Sequence, residues 1–147
     1  MDPKDIINAP ALIIGCTAML ICLAVQGSTI VWVMTVFKGR VRSLVSQQRT
    51  GLAHLFFFAA ILALLVSHIF QIYIWSLFLY YPGIMDSMPS AGLLAGSTYT
   101  TVGFADDTLP MRWQLLEVIM AVTGLFAFAW STSIMYGLSQ QLYRSED

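Results

Sequence analysis

The sequence predicts an all-α membrane protein with three spanning helices and one half-length helix that dips into the bilayer and returns. Three observations carry this prediction. The chain of 147 residues is 58% hydrophobic and 10% charged, with a mean hydropathy of +0.75, well above the apolar share of ordinary soluble domains. Three segments, roughly 11–37, 52–80 and 113–138, each exceed the ~20 apolar residues that cover the hydrocarbon layer at ~1.5 Å per residue. Between the last two lies an apolar run, 89–99, too short to cross.

The first segment follows "MDPKDIINAP", which carries two acids and one base. The apolar run after it is about twice the length of a secretory hydrophobic region, so an uncleaved first helix is expected. Cys16 and Cys22 are six apart and point in different directions on a helix. They read as small apolar residues rather than a bridge. Gln26 reads most simply as an interhelical hydrogen-bonding group.

Lys38, Arg40, Arg42 and Arg49 fall between the first two segments, and Arg144 follows the third. The positive-inside rule places that loop and the C-terminus in the cytoplasm and the N-terminus outside. An anionic-lipid or RNA-binding role for "FKGRVR" is the sharper reading, and plain topology is preferred to it. Gly39, Gln47, Gln48 and Gly51 mark the expected cytoplasmic turn.

The second segment carries Ser67, His68 and Gln71 on one side, a polar face inside the bilayer. An intramembrane histidine is a functional candidate by default. A neutral imidazole bonded to the short helix or to a neighbouring helix is preferred here over a pH sensor. "YYPG" at 80–83 ends this helix, and Trp75 and Trp113 read as outer-interface aromatics.

The short run has Ser87 or Met88 as candidate cap and Pro89 suited to the first turn. From 89 to 99 a helix would rise about 16 Å, half a bilayer. Backbone that is not helical at that depth must be buried in protein or line a water-filled cavity. "TTVGFAD", 100–106, is therefore expected to line one. In the third segment Glu117 sits shallow, as a capping or pairing group, and Gly124 near the middle is split evenly between close packing and hinging.

Several function classes are set aside. The two histidines and two cysteines have no ligand spacing. No phosphate loop, no Ser-His-Asp arrangement and no arginine ladder is present, and the net charge of −1 does not call for nucleic acid. An enzyme is not expected, nor is a cofactor. The nine residues after 138 are too few for a gating domain, and no repeat or linker divides the chain.

In its order of elements, and in "TTVGFAD", the chain resembles the pore module of the potassium-channel superfamily, whose filter reads Thr-Val-Gly-Tyr-Gly followed by Asp. Thr101, Val102, Gly103, Phe104, Ala105 and Asp106 fall on that pattern in order, and the likeness covers about 52–140. Residues 1–50 would supply a leading helix and basic loop, and 51–147 the pore module, as in small prokaryotic channel-like proteins with one extra helix. The resemblance implies a homotetramer in a prokaryotic plasma membrane that passes monovalent cations. Potassium would sit at the carbonyls of Thr101, Val102 and Gly103, with the Thr101 hydroxyl at the inner end. Asp106 and Asp107 would enrich cations at the outer mouth, and Gly124 would fall where relatives often carry a hinge.

Two departures matter. Ala105 replaces the second glycine, and a side chain in a left-handed conformation costs on the order of 1–2 kcal/mol. Phe104 lacks the tyrosine hydroxyl, and its partners' positions hold Leu93 and Leu94, so apolar packing would support the loop. Weakened selectivity, a non-selective sodium and potassium channel, or a non-conducting subunit are the readings these changes bring in.

Overall fold

The computed structural model describes residues 9–47, 49–105 and 108–146. Its elements are α1 (Ala9–Ser46), α2 (Thr50–Tyr80), α3 (Met88–Tyr99), a 3-10 turn (Met111–Trp113) and α4 (Gln114–Glu146). Among the described residues there is no strand. Helices α1, α2 and α4 contain stretches long and apolar enough to cross a membrane: Ala9–Arg40, Thr50–Tyr80 and, with the 3-10 turn, Met111–Tyr143. The 12 residues of α3 span about 18 Å and cannot.

The helices are apolar nearly all round, so packing is decided by where small residues let backbones approach. On α1, Ala11, Gly15 and Ala18 recur at helical spacing, and α4 lies close enough that a Cβ on Gly15 would meet Ile119 Cδ1 at 2.6 Å. On α3, Ala91 and Ala95 are fully buried, and α3 lies between α2 and α4. One apolar cluster gathers Trp75, Leu79, Leu94, Tyr99, Leu116 and Met120 around α3. A second joins Val33, Phe37, Ala60 and Leu138 near the α1–α2 turn. The outward faces, with Leu20, Leu65, Ile69, Val122 and Leu125 more than half exposed, are left for lipid or for further chains.

Two expectations are corrected. Gly39 and Gly51 do not mark the turn. Helix α1 continues through Gly39 to Ser46, and Gly51 lies in the first turn of α2. A helical glycine is disfavoured by only ~1 kcal/mol, and beyond it Leu44 packs against the second apolar cluster. The turn is instead closed by the Gln47 and Arg49 N–H groups, which donate to the Leu44 carbonyl at 3.2 and 2.9 Å. Gln48 lies outside the described residues. Trp75 is not an interfacial aromatic; it is fully buried in the α3 cluster, where its indole N–H has no hydrogen-bond acceptor among the described residues. Its ring fills volume there, which outweighs one unpaired donor.

Candidate functional site

Helix α3 begins as the sequence indicates. The Ser87 hydroxyl oxygen accepts from the Ser90 N–H at 3.2 Å, and Pro89 occupies the first turn. How the helix ends determines the site. The Thr101 N–H donates to the Thr98 carbonyl at 3.0 Å, and the Val102 N–H to the Ser97 carbonyl at 3.0 Å. These two bonds define a Schellman turn, and they put Thr101 at the left-handed position, φ +59°. Glycine normally holds that place. A β-branched residue there is a genuine outlier, strained on the order of 1–2 kcal/mol, and such strain concentrates at functional backbone.

The chain beyond is pinned to a single residue. The Gly103 N–H also donates to the Ser97 carbonyl, at 3.2 Å, and the Ala105 N–H donates to the Ser97 hydroxyl at 3.1 Å. With no cis bond among the described residues, each peptide unit here carries its C=O antiparallel to its N–H. The N–H groups of Val102, Gly103 and Ala105 aim at Ser97, so the carbonyls of Thr101, Val102 and Phe104 aim away from α3. Among the described residues nothing donates to these oxygens. Thr101 to Phe104 are exposed in the single chain, and Ala105 is partly buried against the α3 cluster.

Strain falls at different positions from those anticipated. Gly103 has φ +67°, where glycine fits, and Thr101 shares the positive sign, but Ala105 does not. Position 105 avoids the left-handed conformation, its N–H turned back to Ser97 instead. Phe104 is 59% exposed and Leu93 likewise, while Leu94 is buried. Asp106 and Asp107 lie outside the described residues. Just beyond them, the Glu117 carboxylate accepts from the Leu109 N–H at 2.9 Å and fastens the returning chain to α4. Arg112 lies 5.7 Å from the centre of the Trp113 ring.

At Gly124, α4 crosses the end of α3. A Cβ built there would collide with the Tyr99 carbonyl oxygen and come within 2.9 Å of its carbonyl carbon. The glycine is needed for close approach.

Beneath the loop, polar side chains from all four helices meet between the two apolar clusters. Gln26 Nε2 donates to Ser131 Oγ at 2.6 Å, and Gln71 Nε2 donates to Gln26 Oε1 at 2.7 Å. The Tyr99 hydroxyl donates to Gln71 Oε1 at 3.0 Å. His68 closes the circuit, with Nδ1 and Nε2 each 3.0 Å from the Tyr99 and Ser131 hydroxyls, and its ring stacks on Phe128 at 4.3 Å. Ser67 donates toward Gln26 Oε1 and the Leu64 carbonyl.

Gln26, Ser67, His68 and Gln71 stand out in the sequence as polar groups in apolar segments. Tyr99, Ser97 and Ser131 do not. A tyrosine at a helix end and serines in a small-residue run carry no mark of their own, and their partners lie up to 105 residues away. Among the described residues no three His, Cys, Asp or Glu side chains are grouped to hold a metal ion. The oxygens on offer at the loop are backbone and hydroxyl. Compared with known protein families, characterised proteins and solved structures, the chain matches none.

Proposed function

We propose that this chain is the pore-forming subunit of a homotetrameric cation channel, with α2 as outer helix, α3 as pore helix, residues 101–105 as filter and α4 as inner helix. Potassium ions pass passively along the axis, exchanging hydration water for the carbonyl oxygens of Thr101, Val102, Gly103 and Phe104 and for the Thr101 hydroxyl. The observation that supports this most is the direction of the loop's carbonyls: tethered N–H groups turn those of Thr101, Val102 and Phe104 away from the chain's own protein. Oxygens left without donors at membrane depth are unfavourable unless something else coordinates them. Cations shared among four chains would do so. The C-terminal end of α3, carrying partial negative charge, faces the same place. In this reading the N-terminus is outside, the C-terminus is cytoplasmic, and Asp106 and Asp107 ring the outer mouth.

The backbone at Ala105 favours a second form of the reading, a channel that also passes sodium. Without a positive φ at 105 the alternation of signs ends at Phe104, which leaves fewer carbonyl rings in a row. Flux from liposomes under a potassium gradient tests conduction, and reversal potentials under opposed sodium and potassium gradients separate the two forms. A verified tetramer giving no flux beyond empty vesicles would overturn conduction and leave a non-conducting subunit.

Ser97→Ala tests the tether. The Ala105 N–H loses its acceptor, a local loss of about 1–3 kcal/mol, while the Ser97 carbonyl still accepts from Val102 and Gly103. Flux should persist with potassium preference over sodium reduced several-fold. Unchanged reversal potentials would show that the hydroxyl does not set the loop's geometry.

A further inference from the structure

Between α1 and α2, on the side away from the loop, lies an open groove of about 500 Å³, walled by Val25, Ser28 and Trp32 of α1 and by Ala63, Ser67 and Phe70 of α2. Its volume is that of a small-ligand site, about 300–1,000 Å³. The hydroxyls along it have no hydrogen to spare. Those of Ser28 and of the neighbouring Thr29 donate to the Ala24 and Val25 carbonyls at 2.7 and 2.9 Å, and Ser67 donates to Gln26 Oε1 and the Leu64 carbonyl. An apolar occupant therefore suits the groove better than a polar one. Ser67 also ties the groove to the ring of hydrogen bonds that runs through Gln26, Ser131, His68, Tyr99 and Gln71.

At the end nearer the α1–α2 turn the groove leads to bases. Arg40 follows Thr29 by eleven residues, three turns of helix and about 20° around its axis, so it continues the same stripe of α1. Arg49, at the head of α2, precedes Ala63 by fourteen residues and lies within about 40° of its direction. Both arginines are exposed. No acidic residue occurs from Ala9 to Met85, so neither helix supplies them with a counter-charge. From Arg40 back to Val25, α1 rises about 22 Å, half of the ~40–45 Å that a bilayer measures with its headgroups. The groove thus starts below a headgroup layer and ends near the bilayer midplane.

We infer that this face holds one anionic phospholipid, its phosphate between Arg40 and Arg49 and one acyl chain in the groove against Trp32 and Phe70, a site separate from the loop and independent of conduction. Length decides against a second protein chain. A spanning helix needs contact through both leaflets, whereas the groove is lined over 25–32 and 63–70 only, about 10 Å of helix. Charge decides between lipids. A zwitterionic headgroup brings an amine with its phosphate, while an anionic one leaves net negative charge for two guanidinium groups. Each arginine near an anionic surface favours it about fivefold, ~1 kcal/mol. The seated acyl chain covers Ser67 and shields the ring behind it from the bilayer.

The test uses the full chain in liposomes of equal parts phosphatidylglycerol and phosphatidylcholine. A trace of one lipid or the other carries a diazirine near the end of an acyl chain, and photolabelled residues are mapped by peptide mass spectrometry. Segments 25–32 and 63–70 should take about tenfold more label from the phosphatidylglycerol probe, while Ile13 and Leu20, exposed elsewhere on α1, take both probes equally. Arg40→Gln combined with Arg49→Gln should bring the groove ratio close to one. In about 1 M salt the wild-type ratio should fall several-fold by screening, which gives the same answer should the double variant not fold. Ser28→Trp, which fills the groove, should cut its labelling by both probes. A wild-type ratio of one overturns the inference, as does a preference that outlasts both the glutamines and the salt, or groove labelling that Ser28→Trp leaves unchanged. A groove that takes no label is covered by another protein chain, and that result overturns it too.

Discussion

Replacing Gly124 by alanine is expected to destabilise the protein by about 2 kcal/mol or more, in spite of alanine's ~1 kcal/mol advantage over glycine in a helix. The obstacle is what decides this. A Cβ at 124 meets the carbonyl oxygen and carbon of Tyr99, which are backbone, with the Tyr99 ring at 3.1 Å behind them. A flexible side chain could swing aside, as Ile119 can opposite Gly15. A carbonyl at the end of α3 can retreat only by moving the helix, and with it the Schellman turn and the ring through Tyr99. Gly137, further along the same helix, has nothing within 4 Å of such a Cβ, so Gly137→Ala should be neutral or stabilising by up to ~1 kcal/mol. Unfolding of the two variants in detergent, followed by circular dichroism, measures the contrast. Equal effects would contradict the close approach.

Thr101→Gly is expected to separate stability from function. Threonine at φ +59° is strained on the order of 1–2 kcal/mol, and glycine relieves that strain while giving back part of the gain as unfolded-chain entropy. The net expectation is a fold more stable by about 0.5–1 kcal/mol. Function should move the opposite way. In the proposed channel the substitution removes one hydroxyl oxygen per chain from the inner end of the filter, and a lost ligand of roughly 1 kcal/mol would correspond to several-fold to tenfold weaker potassium preference. Thermal unfolding and reversal potentials on one preparation give both numbers. A less stable variant would show that the left-handed turn is not the source of strain, and a more stable variant with unchanged selectivity would show that the hydroxyl serves no ion.

Much of the fold is legible in the sequence because the physics behind it is local. Three apolar stretches of sufficient length, a run too short to span, and Ser87 with Pro89 at its head are composition and capping signals; α2 and α3 follow them closely, while α4 starts where expected and runs on past its apolar stretch to Glu146. The end of α1 is not legible: Gly39 and the bases around it look like a turn, but helix packing outweighs a glycine's small penalty. Trp75 looks interfacial by position along its helix, since nothing local distinguishes a tryptophan facing α3 from one facing lipid.

The candidate site divides in the same way. An exposed loop between a half-length helix and a spanning one follows from "TTVGFAD". Its conformation does not, because the strain falls on Thr101, where residue type argues against it, and is absent from Ala105, where residue type suggests it. His68 and Gln26 are conspicuous as polar groups in apolar surroundings, yet the ring needs Tyr99 and Ser131. Those contacts are set by how α3 and α4 come together, which no neighbouring residues encode.

Conduction as proposed requires that residues 101–104 of four chains turn their oxygens onto one axis and hold cations there. Anomalous diffraction from the assembled protein in a bilayer mimic, with rubidium or thallium replacing potassium, addresses this directly. Ion density is expected on a four-fold axis, flanked by the carbonyls of Thr101, Val102, Gly103 and Phe104. An assembly whose axis is lined by other residues, or one lined by these residues and holding no ion, would contradict it.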